Sequence, residues 1–399
     1  MSDTPLSLSA PPHLVRPLAE LDDDSAAEAQ SAARCLLSVA ERIETSLFTP
    51  RSIHCELRDV RAYINRIKGQ LSDRGISLVL PTAEESRATL GRTLDCAVLR
   101  LKLDADLWTA LDRFARFDEY FGTRRIDELD PQRFLLQLLV TTDFVLRDLS
   151  SCMVDRHEIL MILRGVAAGM TRTTDSEMPS GARGDVTGDR ALEDDISAEQ
   201  TRSLSLSRWK VGHHLFNELA TMSLHLIEAT IASGNSEEKA SSIVRLCRTY
   251  RAMTAAMWYA QAFPPRMYTE LIRPSMEIAS SGGSGFSGTD NLDFRIMKYR
   301  LREMLGGLEK DIGTAETCQE HLWQVVCYLY DVQLLDLEHH VLIAEKLVGS
   351  SPSLKQVRLA ESSDGHADLT ALSGVDALRG MVAERTHAKA MFLTGEGGS

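Results

Sequence analysis

The sequence predicts an all-α protein, a helical bundle, and three observations lead there. Aromatic residues make up only 6% of the 399 residues while Leu and Ala are plentiful, a mixture that favours helices over sheets. Apolar residues recur at three- and four-residue intervals along most of the chain, the spacing that puts them on one helix face. No run alternates convincingly as a half-buried strand would, and there is neither a repeat of 20 to 50 residues nor a heptad pattern long enough for a coiled coil.

Residues 1–26, rich in Pro, Ser and Asp, read as a loose, disordered tail. From Ala27, Cys35, Leu36, Val39, Ile43 and Leu47, followed by Ile53, Leu57, Val60, Ile64 and Ile67, predict a pair of helices. Further helices are expected around Leu94–Leu103, Leu107–Phe121, Phe134–Leu149 and Arg156–Met170, with Pro131 suited to the first turn of one of them. The stretch Thr171–Ser197, crowded with Gly, Asp, Ser and Thr, predicts an exposed or mobile loop. Long helices over about 199–233 and 236–261 come next, separated by stop and start signals in Ser233-Gly-Asn-Ser236, and Pro264-Pro265 ends the second. A short helix near Met267–Glu277 precedes the glycine-rich stretch Ser280–Gly288, and helix resumes over about Leu292–Leu305 and Ala315–Val348. Residues 349–368 read as irregular, with a last helix over about Leu369–Met391. Residues 27–154 and 155–395 thus form two helical regions, expected to be one continuous domain.

Charge and cysteine usage limit the partners. A formal charge of −13 describes an acidic protein and argues against nucleic acid or an anionic membrane. The seven cysteines are scattered, with no Cys-x-x-Cys pair, so neither a disulfide scaffold nor a zinc knuckle is indicated, and a reducing cytoplasm is the expected compartment. The N-terminus lacks a basic segment followed by an apolar run, and no stretch is long enough to span a bilayer. No dinucleotide fingerprint, P-loop, His-Glu-x-x-His or Gly-x-Ser-x-Gly motif is present.

His340 stands out by position. Leu322, Val326, Leu329, Leu337, Ala344 and Leu347 share its helix face, so His340 points where the core should be, while His339 lies about 100° round the helix. A histidine so placed is more often satisfied by a neighbour than a ligand, but a neutral imidazole on an apolar helix is also how helical proteins grip a haem iron. Asp336, four residues earlier, could steer its second ring nitrogen.

The run His340-Val-Leu-Ile-Ala-Glu-Lys-Leu-Val-Gly349 resembles the segment that carries the proximal haem-ligating histidine in tryptophan 2,3-dioxygenases. It is more similar still to that of the PrnB-type enzymes of the pyrrolnitrin pathway and the haem-dependent tyrosine hydroxylases, all members of one haem-dependent aromatic oxygenase superfamily. Ala262-Phe-Pro-Pro-Arg-Met-Tyr-Thr-Glu-Leu-Ile-Arg-Pro274 resembles those relatives' proline, short helix and Arg-Pro segment, and glycine-rich 282–288 follows where they have a glycine-containing loop. The resemblance covers about residues 155–395, with Arg156–Leu163 a fainter match at its start. It implies the helical tryptophan/indoleamine dioxygenase-like fold, His340 as the axial haem ligand and an open iron face for an oxidant and an aromatic substrate. Where tryptophan dioxygenases carry a Gly-Thr-Gly-Gly-Ser-Ser-Gly loop, this chain has Ser350-Ser-Pro-Ser-Leu-Lys-Gln356, which argues against that activity. One tyrosine-hydroxylase subgroup attaches haem through His-x-x-x-Cys, whereas Ala344 stands four residues after His340, so non-covalent haem b is expected.

His213 and His214 are candidates for a distal acid or base, and Arg273, Ser284 and Gly285 for substrate binding; Arg273 would pair with a carboxylate or a haem propionate. His54 precedes a predicted helix rather as the distal histidine does in tryptophan dioxygenases, and Tyr299, Arg300 and His366 are pocket candidates by position. The expected function is a haem-dependent oxygenase or peroxygenase, using dioxygen or hydrogen peroxide on an aromatic amino acid or indole in secondary metabolism, with homo-oligomerisation left open. Two rivals are a cofactor-free helical interaction module and a non-haem metal oxygenase built on His213 or His214 with Glu218.

Overall fold

Asp22 accepts a hydrogen bond from the Ser25 amide (2.8 Å), and from that cap grows α1, Asp23–Thr45. The computed structural model describes residues 7–9, 18–45, 50–99, 111–149, 152, 154–171, 197–279, 286, 290–314, 320–349 and 374–394. After α1 come α2 (Pro50–Asp73), α3 (Ala83–Leu99), α4 (Leu111–Phe121), α5 (Pro131–Leu149) and α6 (Arg156–Met170). The second half holds α7 (Ala198–Ala232), α8 (Ser236–Ala260), α9 (Pro265–Met267), a π-helical turn (Tyr268–Ile272), α10 (Arg273–Ala279), α11 (Leu292–Thr314), α12 (Glu320–Leu347) and α13 (Gly374–Thr394). The all-α expectation is met.

The long hairpin α7–α8 is the centre of the bundle. A reciprocal pair of hydrogen bonds between Ser197 and Gln200 caps the start of α7, and the Asn235 side chain accepts from the Glu237 amide (2.8 Å) to start α8. α6 and α12 pack on α8, α5 and α11 pack on α7, α1 covers α6, α2 covers α5, and α13 lies along α12. One apolar core runs through these elements from Leu36 and Ile43 to Val326 and Leu329. Two glycines let helices approach almost to backbone contact. A Cβ on Gly165 of α6 would sit 2.7 Å from the Arg248 carbonyl oxygen of α8, and one on Gly212 of α7 would sit 2.7 Å from Ala260 Cα and 2.9 Å from Ala260 N.

Three differences from the sequence reading have local causes. Ser7–Ser9 (β1) pairs in parallel with Thr123–Arg125 (β2), where no strand was expected, because three residues are too few to show an alternation. Helix α1 starts before Ala27, at the Asp22 cap. Helix α3 starts well before Leu94, at a capping box: the Glu85 amide donates to Thr82 Oγ1 (3.2 Å) and the Thr82 amide to Glu85 Oε2 (2.8 Å). The loop within 172–196 and the irregular stretch after residue 349 lie outside the described residues.

Buried Arg125 ties β2 to two helices. Its Nε donates to Asp118 Oδ2 (2.5 Å) of α4 and its Nη1 to Asp293 Oδ1 (3.0 Å) of α11. Arg208 does the same at the heart of the bundle, with Nε on Asp148 Oδ2 (2.6 Å), Nη2 on Asp148 Oδ1 (2.9 Å) and Nη1 on the Ala262 carbonyl (2.7 Å). The end of α5, the start of α7 and the segment after α8 are thereby fixed together.

The two kinds of glycine make opposite predictions. Gly165→Ala should destabilise by about 1–3 kcal/mol, since backbone stands where the methyl must go. Gly307→Ala, on an open face of α11, should stabilise by about 0.5–1 kcal/mol, because alanine is the better helix former. Urea denaturation of both variants checks the pair, and equal effects of one sign would contradict the packing described.

Candidate functional site

A second apolar cluster, apart from the main core, gathers aromatic side chains from three elements, Phe117, Tyr120 and Phe121 of α4, Trp209 of α7 and Tyr268 of the π-helical turn, together with Phe286. Phe117 meets Phe286 edge-on with ring centroids 5.8 Å apart, and Trp209 meets Tyr268 at 6.2 Å. The π turn buries both Tyr268 and Ile272 against these rings; such turns recur at functional sites. The Tyr120 hydroxyl lies 2.8 Å from Ser275 Oγ and, buried, its pKa is pushed up to about 12. Leu347, the last residue of α12, belongs to the same cluster, and Ile343 and Val348 on either side of it pack against it. His213 and His340 belong to α7 and α12, two helices that contribute to this cluster.

The histidines divide by tautomer. A carbonyl oxygen can only accept, so His213 Nδ1, 2.7 Å from the Trp209 carbonyl, carries the proton and leaves Nε2 as a lone pair. The ring stacks on Phe121 with centroids 4.4 Å apart, and burial, opposed by that hydrogen bond and aided by the charges of His214 and His340, pushes its pKa down to about 4. His340 has the same arrangement. Its Nδ1–H donates to the Asp336 carbonyl (2.9 Å), the Asp336 carboxylate lies 3.6 Å away, and Nε2 is left as a lone pair on a side chain 30% exposed. Asp336 is buried and accepts from Thr254 Oγ1 of α8 (2.7 Å), so this support is itself anchored.

His339 is the reverse case. Its Nδ1 accepts from the Trp258 indole N–H (2.8 Å), which places the proton on Nε2, and burial pushes its pKa down to about 4. Of the His339–His340 pair, only His340 presents Nε2 as a donor atom for iron. His214 is fully buried with its Nε2–H on the Phe121 carbonyl, tying α7 to α4, and its Nδ1 is buried without a partner. Glu218 faces α5, where Thr141 donates to it (2.6 Å), and burial pushes its carboxyl up to about 8. Among the described residues no three His, Cys, Asp or Glu side chains come together as a metal-holding group, so the non-haem centre on His213 or His214 with Glu218 is not assembled.

Arg273 of α10 lies close enough to Tyr268 to influence it, but its Nε is engaged by Glu277 (3.0 Å). Ser284, Gly285 and His366 lie outside the described residues. His54 falls within α2, not before a helix, and is exposed there; Arg300 forks onto Glu228 (2.6 and 2.5 Å), joining α11 to α7. The aromatic residues of α4 were missed in the sequence. Phe114, Phe117, Tyr120 and Phe121 recur at three- and four-residue intervals, a signal that marks a buried face but not which of two clusters it serves.

The depressed histidines set a pH dependence. A histidine that titrates at about 4 when folded and near 6.5 when unfolded is neutral in both states above pH 6.5, so its folded environment costs nothing there. As the pH falls from 6.5 towards 4 the unfolded chain takes up the proton and the folded chain does not, and stability is lost at up to about 1.4 kcal/mol per pH unit for each such group. His214→Gln should therefore flatten the decline of unfolding free energy between pH 6.5 and 4; a slope unchanged from the parent would contradict the burial of His214.

One protein-family model, SfmD 3-methyl-L-tyrosine peroxygenase, matches residues 50–317, about two thirds of the chain. The matched segment includes α4 and α7, with His213, and ends before α12 and His340. No curated protein and no solved structure matches the chain.

Proposed function

The chain belongs to the SfmD 3-methyl-L-tyrosine peroxygenase family, and on that premise we propose that it hydroxylates a tyrosine derivative at a non-covalent haem b held by His340, with hydrogen peroxide as oxidant. The family makes the chain an oxygenating oxidoreductase, which sets aside the interaction-module reading. The observation that carries the finer reading is the pairing of His340 and His213. Both leave Nε2 as a lone pair, and they lie within electrostatic reach of one another beside an aromatic chamber.

The residues present fit a haem. An axial imidazole needs its Nδ1–H hydrogen-bonded and its Nε2 open, which the Asp336 carbonyl provides for His340, and the Asp336 carboxylate adds basicity. Ala344 offers no thiol for covalent attachment. Haem iron, when bound, supplies the oxidising chemistry. The chain's own part is to bind, orient and move a proton. The rings of Phe117, Phe121 and Trp209 receive the aromatic ring of the substrate and exclude water from it. His213, neutral across the physiological range, accepts at Nε2 the proton that hydrogen peroxide gives up and can return it to the departing oxygen. The kinship with PrnB-type enzymes and tyrosine hydroxylases suggested by Ala262–Pro274 and His340–Gly349 is part of this reading, as is a place in secondary metabolism.

Two measurements test it. The full chain loaded with haemin should show a Soret band that His340→Ala abolishes or shifts; a band indifferent to that substitution would remove His340 from the iron. His213→Gln should slow peroxide-driven hydroxylation of 3-methyl-L-tyrosine by about 10²–10⁴-fold, the usual contribution of a positioned acid–base group, while substrate affinity holds. A rate equal to the parent's would leave His213 without this role.

A further inference from the structure

Lys210 lies three residues before His213 on α7, and its ammonium sits 5.0 Å above the ring of Tyr120, one of the chamber's rings. Four other cations near these rings are paired. Arg113 meets Asp290 (2.6 Å), Arg125 meets Asp118 and Asp293, Arg208 meets Asp148, and Arg273 meets Glu277. Among the described residues no carboxylate or hydrogen-bond acceptor engages Lys210. The glycine-rich stretch 280–289 contains no Asp or Glu either. Burial pushes the ammonium pKa down. A partly buried ammonium with no counter-ion among the described residues, beside a cluster of rings, suits a ligand that joins an aromatic ring to an anionic group.

From the position of Lys210 over Tyr120, with no counter-ion among the described residues, we propose that Lys210 binds the α-carboxylate of the amino-acid substrate and so selects aromatic amino acids over the corresponding amines. This rests on the reading of the chamber as the site for a tyrosine derivative. It gives the role first expected of Arg273 to a different cation; Arg273 Nε is paired with Glu277. Lys210 would act as a point charge that fixes one end of the substrate while its ring lies near His213.

Equilibrium binding to the full chain, followed by intrinsic tryptophan fluorescence, tests the assignment with 3-methyl-L-tyrosine and its decarboxylated amine as the two ligands. The parent should bind the amino acid more tightly than the amine. Lys210→Met should weaken the amino acid by about tenfold or more, the scale of one charge-assisted hydrogen bond, and leave the amine unchanged. Lys210→Arg, which keeps the charge, should retain the preference. Unaltered affinity of Lys210→Met for the amino acid overturns the role of Lys210 alone. A parent that binds neither ligand overturns the functional reading, and the inference with it. Retained amine binding by Lys210→Met shows that the variant is folded.

Discussion

At Gly212 the backbone of α7 lies so close to the end of α8 that no side chain could stand between them, and the candidate site is built from what that approach places on either side. Trp209 and His213 flank the contact along α7, and the chain leaving Ala260 turns at once into Phe263 and the π-helical turn that delivers Tyr268. Arg208 secures the same junction from below by joining Asp148 of α5 to the Ala262 carbonyl. A wider spacing of α7 and α8 would separate Trp209 from Tyr268. The tightness of one helix pair thus keeps His213 buried, and burial disfavours its charged form.

The second organising device is local. A helical histidine whose Nδ1 reaches the carbonyl four residues back has its tautomer chosen by its own helix, without help from any other element. His213 and His340 both use it, and each therefore offers Nε2 as a base or ligand. His339 and His214, their immediate neighbours, are turned through about 100° and find partners on other helices, Trp258 and Phe121, that take up that nitrogen or leave it protonated. In each adjacent pair one imidazole is tied to another helix and the other is held by its own.

Much of the fold was legible because its signals are periodic or positional. Apolar spacing gave most of the helices, Pro131 stands first in α5 as expected, and Ser233-Gly-Asn-Ser236 separates α7 from α8. Short range signals were overlooked where the periodic one was weak: the Asp22 cap, the Thr82–Glu85 box and the three-residue strands. The site was only half legible. Spacing marked His340 as inward-facing and left His213 and His214 undivided, because a tautomer depends on which carbonyl or indole lies within reach, and that needs coordinates. Nor could spacing show that Arg273 is satisfied by Glu277 while Lys210 meets no carboxylate among the described residues, since the difference lies in partners from other turns and other helices.

The central claim is that His340, and not His213, bonds the iron. Resonance Raman spectroscopy of the ferrous, haem-loaded protein reads that bond directly as an iron–imidazole stretch. The stretch should be present in the parent and in His213→Gln, absent in His340→Gly, and restored to His340→Gly by added imidazole. A stretch that survives in His340→Gly and disappears in His213→Gln would reverse the two roles and contradict the account.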